Sequence, residues 1–192
     1  MATVIENKSR AIRVRLLLWG SYLVAGGATF LAYHVFMTYG LSPGDGGVLK
    51  PPGERIALAS IVLLFGLGTV VGMVLYARVY VLRLSLEGRD LQIVTFDSFG
   101  IRTKSNDLSS ANVESATYYH GRYTAHRPME GSARLLNTSV DAPWITLKFY
   151  DQTLPFVLDL QAERIDKRQL ARLTPKAVAD WRRDRQHVFM DQ

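Results

Sequence analysis

Among the residues of this 192-residue chain whose type allows metal binding or proton transfer are four histidines, His34, His120, His126 and His187. None stands at ligand spacing from another metal-binding side chain on an evident helix, and no HExxH pattern occurs. His34 lies inside an apolar run, where an ionisable group suggests a haem ligand or a proton relay. No second ligand accompanies it, so the favoured reading is a neutral imidazole hydrogen-bonded to a neighbouring helix. Asp97, Asp107, Glu114 and Asp159 are scattered over strands and turns without a pattern for acid–base work. There is no nucleophile elbow, no P-loop and no dinucleotide fingerprint. With no cysteine, disulfides, thiolate metal sites and cysteine nucleophiles are excluded. These observations predict no catalytic residue, no metal and no cofactor. What remains is an aromatic cluster, Tyr118-Tyr119-His120 with Tyr123 and His126. On a strand, alternate side chains face opposite ways, so the cluster divides into core and contact surface. Tyr119, Arg122, Tyr123 and, further on, Trp181 are the candidate partner contacts.

Positioning these residues falls to a chain dominated by two apolar runs. Ile56 to Ala77 holds 22 residues without a charge. As a helix it would extend about 33 Å, enough for a bilayer core of about 30 Å. Leu16 to Thr38 is a second such run of 23 residues, with Trp19 and Tyr39 near its ends, where amphipathic rings favour the headgroup layer. In the first run Ser21, Ala25, Ala28 and Ala32 put small side chains on one face; the second has Gly68-x-x-x-Gly72. Small faces let helices approach closely, so the two runs are predicted to pair as a hairpin or to dock a partner helix. Ser42 to Arg55, rich in glycine and proline, is the loop between them.

The formal charge of +6 is concentrated at the ends. Residues 1–15 carry Lys8, Arg10, Arg13 and Arg15 against Glu6, and residues 162–192 carry eight basic groups against five acids. Residues 1–15 read as a basic, polar juxtamembrane arm that is retained, since the apolar run after it is too long for a secretory signal and ends without a cleavage site. Arg10, Arg13, Arg15, Arg78 and Arg83 flank the runs on one side, while the loop is balanced in charge. The positive-inside rule therefore places both termini on the cytoplasmic or matrix side. The same arginines are candidate ligands for anionic lipid headgroups, each contributing about 1 kcal/mol near the surface. This distribution suits a membrane surface or an acidic partner, not a nucleic-acid groove.

From Val79 the apolar period becomes two. Val79–Leu86, a Gly-containing turn at 87–90 and Leu91–Phe96 predict a hairpin. Ile101–Thr103, Val113–Tyr123, Trp144–Tyr150 and Leu154–Leu160 are further strands, and Gly121–Pro143 is a long excursion. A helix is expected over Glu163–Leu173, and a second after Thr174-Pro175, with basic and apolar faces. That second helix covers the sheet, or it lies on a membrane or partner. The predicted organisation is an arm at 1–15, transmembrane helices at 16–38 and 56–78 joined by a loop at 39–55, a soluble β domain at 79–161 and a helical segment at 162–192. The fold class is α+β: a two-helix membrane hairpin, a small antiparallel sheet domain (sandwich or open barrel) and C-terminal helices.

A hairpin running directly into a β domain resembles the mitochondrial inner-membrane assembly-factor family of transmembrane proteins 70, 186 and 223. The stretches that carry the resemblance are Asp90-Leu-Gln-Ile-Val-Thr-Phe-Asp-Ser-Phe-Gly-Ile-Arg102, Trp144-Ile-Thr-Leu-Lys-Phe-Tyr150 and Leu154-Pro-Phe-Val-Leu-Asp-Leu160. The excursion and the C-terminal helix depart from that family's pattern. The resemblance implies a non-catalytic accessory subunit or assembly factor of a respiratory-chain or ATP-synthase complex, held in the inner membrane with both termini in the matrix. Its partners would be subunits of that complex and anionic lipid such as cardiolipin. Two alternatives stay open at this point. One is a bacterial-type plasma-membrane protein with a pleckstrin-like domain binding lipid or peptide; the other is a haem or quinone protein using His34.

Overall fold

The computed structural model describes residues 2–42, 44, 46–125 and 138–188, and their side chains except at 123–125, 138–140 and 185–188. In chain order the elements are strand β1 (Ala2–Glu6), helices α1 (Lys8–Thr38) and α2 (Pro52–Val79), then strands β2 (Arg83–Glu87), β3 (Asp90–Phe96) and β4 (Thr103–Ser109). A 3-10 turn, Ser110–Asn112, leads into β5 (Val113–Tyr119), β6 (Arg122–Ala125), β7 (Thr138–Asp141), β8 (Trp144–Phe149), β9 (Phe156–Asp159) and β10 (Arg164–Ile165). Helices α3 (Lys167–Leu173) and α4 (Pro175–Val188) complete the described chain. This is the expected α+β class: two long apolar helices, antiparallel sheets, then shorter helices. The residues form two units, Met1–Ala11 with Val79–Thr95 and Thr103–Gln192, and Ile12–Arg78 with Phe96–Arg102.

In the strand-rich unit, the described strands make a five-stranded sheet ordered β10-β1-β2-β3-β4, a three-stranded sheet ordered β5-β8-β9 and the pair β6-β7. The β2–β3 hairpin turns where the sequence predicts it, with Glu87 opposite Asp90 and Gly88 in the left-handed region at φ +62°. The alternation in Leu84, Leu91, Ile93, Ile145, Leu147 and Leu158 puts each of them in one buried cluster. Several boundaries differ from expectation: α1 starts at Lys8 and α2 at Pro52, and the strand expected at Ile101–Thr103 is β4, Thr103–Ser109. Residues 2–6 form a strand between β2 and β10 instead of a polar arm, with Val4 and Ile5 fully buried. Thr3-Val4-Ile5 is a β-branched run, too short to stand out beside the basic residues after it. The penultimate helix starts at Lys167, not Glu163, because the Asp166 carboxylate caps it, accepting from the backbone N–H groups of Arg168 and Gln169 at 2.9 and 3.1 Å.

Helix α4 covers the unit's own core: Ala177, Val178 and Trp181 join the buried cluster, and its basic residues Arg182 and Arg183 stay exposed. Trp181 is therefore a core residue, 3% exposed, and has no surface to offer a partner. An indole on the apolar face of an amphipathic helix contributes more by filling the core than by standing in water.

In the helical unit, α1 has 31 residues and α2 has 28, so they extend about 46 and 42 Å at 1.5 Å per residue. Only 17% and 6% of their most apolar stretches are buried. A core helix of a water-soluble globule would be mostly covered; these two are largely uncovered and are long and apolar enough to cross a membrane. The helices approach closely at Gly66: a Cβ there would lie 2.4 Å from the Ala28 Cβ and 3.3 Å from the Ala25 Cα. At the loop end, Arg55 donates to the Phe36 carbonyl at 3.0 Å and its guanidinium sits 5.1 Å from the Phe36 ring centroid. A cation on the last turn of α1 satisfies a carbonyl that has no partner in its own helix.

Candidate contact surface

Strand register assembles the groove. β5 and β8 pair with Tyr119 opposite Trp144, so their rings stack with centroids 5.3 Å apart and planes 15° from parallel. The chain then reverses at Gly121, where φ is +59° and a Cβ would strike the Ala142 carbonyl oxygen and the Trp144 ring. Only glycine fits there. The reversal brings Arg122 back toward α4, where Asp184 waits. The Asp184 carboxylate accepts from the Tyr118 hydroxyl at 2.7 Å and from Arg122 Nη2 at 2.9 Å; Arg122 Nε is 3.8 Å from Asp141. The His120 Nδ1 accepts from the Arg122 backbone N–H at 3.1 Å, which leaves the ring's proton on Nε2. Together these side chains line a cavity of about 440 Å³, in which Tyr119 is 44% exposed.

The electrostatics of the groove centre on Tyr118 and Asp184. Burial is the main cause of a raised Tyr118 pKa, reinforced by its hydrogen bond to Asp184 and that carboxylate's charge, against a smaller opposing effect of Arg122. The phenol stays a donor, and Asp184 is already used twice. What faces outward is a stacked aromatic pair beside two carboxylates and one guanidinium. Among the described residues, no three His, Asp or Glu side chains gather as a metal site.

The other expected site residues separate. Arg10 is engaged within the strand-rich unit, donating to the Asp159 carboxylate and the Gln161 side chain. Arg83 donates to Thr3 Oγ1 at 3.0 Å, and Arg13 is exposed. Arg15 and Arg78 converge on one turn: Arg15 lies over the Phe96 ring and Arg78 donates to Ser98 Oγ at 2.6 Å. Of the small residues, Ser21 and Ala32 are buried, and Ala25 and Ala28 meet Gly66. A Cβ at Gly68 or Gly72 would meet nothing within 4 Å, so that motif lies on an open face and the neighbouring Gly66 makes the approach. The His34 Nδ1 lies 3.1 Å from Thr38 Oγ1 on its own helix, one turn on, instead of meeting a neighbouring helix. The Tyr123 side chain, His126 and the His187 side chain lie outside the described residues. Trp144 and Asp184 complete the groove although the sequence did not single them out as contacts; Trp144 begins a predicted strand, and only its pairing with β5 brings it to Tyr119.

Compared with known proteins, residues 9–161 match the model of the TMEM70/TMEM186/TMEM223 protein family. No curated protein and no solved structure matches the chain.

Proposed function

Because the chain belongs to the TMEM70/TMEM186/TMEM223 family, we propose that it is a non-catalytic, membrane-anchored accessory subunit or assembly factor of a mitochondrial respiratory-chain or ATP-synthase complex. In this reading α1 and α2 cross the inner membrane and both termini lie in the matrix. The strand-rich unit grips the complex on that side, with Tyr119, Arg122 and Trp144 as its contact. Arg13, Arg15 and Arg78 hold anionic headgroups such as those of cardiolipin. The observation that supports this most is the pair of long apolar helices left largely uncovered, within a family match that includes both of them.

The test is isolation of the full chain from its native membrane in mild detergent. Co-migration with subunits of one oxidative-phosphorylation complex is the expected result, weakened by Tyr119→Ala and unaffected by Tyr150→Ala on an exposed turn. A free monomer in every preparation, including during complex assembly, overturns it. A monomer with lipid bound in its strand-rich unit would favour the lipid-binding alternative.

A further inference from the structure

The turn joining β3 to β4 belongs with the two apolar helices and not with the strands it connects. It is closed by its own bonds. The Asp97 backbone N–H donates to the Arg102 carbonyl at 3.0 Å, its carbonyl accepts from the Gly100 N–H at 3.2 Å, and its Oδ1 accepts from the Ile101 N–H at 3.1 Å. Gly100 has φ +66°, and a Cβ there would lie 2.7 Å from Leu18 Cδ2, so the turn's backbone rests directly on α1. The Tyr22 hydroxyl donates to the Ser98 carbonyl at 2.9 Å, and Arg78 of α2 donates to the Ser98 hydroxyl. The turn is thus pinned at the level of Leu18 to Tyr22, just inside the uncharged run that starts at Leu16.

A tight turn in water normally presents polar side chains, yet here Phe99 and Ile101 are 62% and 60% exposed. Trp19, at the same level of α1, is half exposed and packs edge-on against Tyr22. Arginines surround the turn: Arg15 over Phe96, Arg78 on Ser98, and Arg102 at its end, against one acid, Asp97, which is engaged in the turn. Exposed aromatic and aliphatic side chains at the end of an apolar span, rimmed by cations, match the layer where acyl chains meet phosphates.

We propose that the Phe99–Ile101 tip is a third membrane contact of this chain, with both side chains among the outermost acyl carbons of an anionic bilayer and Arg15, Arg78 and Arg102 facing lipid phosphates. The proposal rests on α1 and α2 crossing the membrane. It adds to the hairpin a stop that fixes how deep the helices sit and how they are rotated.

The chain has no cysteine, so single nitroxide labels can be placed cleanly. The full chain carrying Phe99→Cys or Ile101→Cys is reconstituted in vesicles of phosphatidylcholine with or without phosphatidylglycerol. Leu64→Cys within α2 and Tyr150→Cys in the strand-rich unit serve as references. Accessibility to oxygen and to a water-soluble nickel chelate gives the depth of each label. The expected result is a Leu64 label in hydrocarbon, a Tyr150 label in water, and Phe99 and Ile101 labels about 5–10 Å into the headgroup–acyl boundary, shallower without phosphatidylglycerol. If the Phe99 and Ile101 labels are as wet as that at Tyr150 while Leu64 stays in hydrocarbon, the tip proposal fails and the spanning helices stand. A depth that ignores phosphatidylglycerol overturns the part of the proposal that requires an anionic bilayer. A wet Leu64 label overturns the spanning helices and this proposal together.

Discussion

Arg10 and Asp159, 149 residues apart in sequence, form an ion pair that joins the first turn of α1 to the end of β9. The Asp159 carboxylate is 7% exposed and also accepts from the Tyr80 hydroxyl at 3.1 Å and the Gln161 backbone N–H at 2.8 Å. A buried carboxylate with these donors is fully satisfied, and removing it takes one acceptor from each of them. Asp159→Ala is expected to lower stability by about 1.5–3 kcal/mol, the usual size for hydrogen bonds to a charged group. Arg10→Met keeps an apolar stem of similar length and leaves the carboxylate its Tyr80 and Gln161 donors, so it should cost less. Denaturant unfolding in micelles, followed by tryptophan fluorescence, measures both.

Glu163 caps the start of α1 from 154 residues away, its Oε1 accepting from the Ser9 N–H at 2.8 Å. Hydrogen bonding by the Ser9 hydroxyl and then its backbone N–H lowers the Glu163 pKa below the ordinary 4.5. A lowered folded-state pKa contributes stability above the unfolded value, and that contribution is lost as pH falls through the folded one. Glu163→Gln should therefore be less stable than the parent at neutral pH. The two should converge as pH drops below about 4.5. Thermal melts across that range give the answer, and an offset independent of pH would sink the idea.

At Gly66 the helices meet with no room for a side chain. Gly66→Val should push α1 and α2 apart and cost about 1–3 kcal/mol, the usual penalty for overpacking. Gly72→Ala, on an open face, should leave the hairpin intact. Disulfide trapping between cysteines placed in the two helices reads the separation directly: only the Gly66 variant should slow the cross-link.

Asp184→Asn removes the charge that Tyr118 and Arg122 share. The Tyr118 pKa should then fall, yet remain above the ordinary 10.0, because burial is its largest cause. The sign for stability follows: a raised phenol pKa supports the fold below the unfolded value and stops doing so as pH rises through the folded one. Both proteins should begin to lose this contribution at the unfolded value, and the variant's loss should be smaller and end at a lower alkaline pH than the parent's. Ultraviolet phenolate titration, with Tyr118→Phe subtracted, tracks the group itself.

Charge-free length made the apolar helices legible, and strict alternation made β2, β3, β8 and β9 so, because hydrophobic period is a local property of sequence. The 3-10 turn, β6, β7 and β10 carry too few residues to show a period. β1 was hidden for a related reason: three β-branched residues gain strand character only when β2 and β10 flank them, and β10 lies 160 residues on. The groove was half visible. Tyr119 and Arg122 stood out by type, whereas Trp144 and Asp184 reach them through pairing and helix docking, which no single stretch encodes. Trp181 was misplaced for the opposite reason, since an amphipathic helix displays the same pattern whether its apolar face meets lipid or its own sheet. Gly68-x-x-x-Gly72 drew attention as a motif, while the rotation of α2 about its axis puts Gly66 at the contact instead.

Because β1 is flanked by β2 and β10, residues 2–6 find one lateral neighbour only after the last of the described strands has been made. Both apolar helices are translated well before that moment. In the proposed membrane-spanning reading, the strand-rich lobe therefore closes only after both apolar helices have been made. A truncation that removes β10 should leave the insertion step untouched and deprive the lobe of its closure.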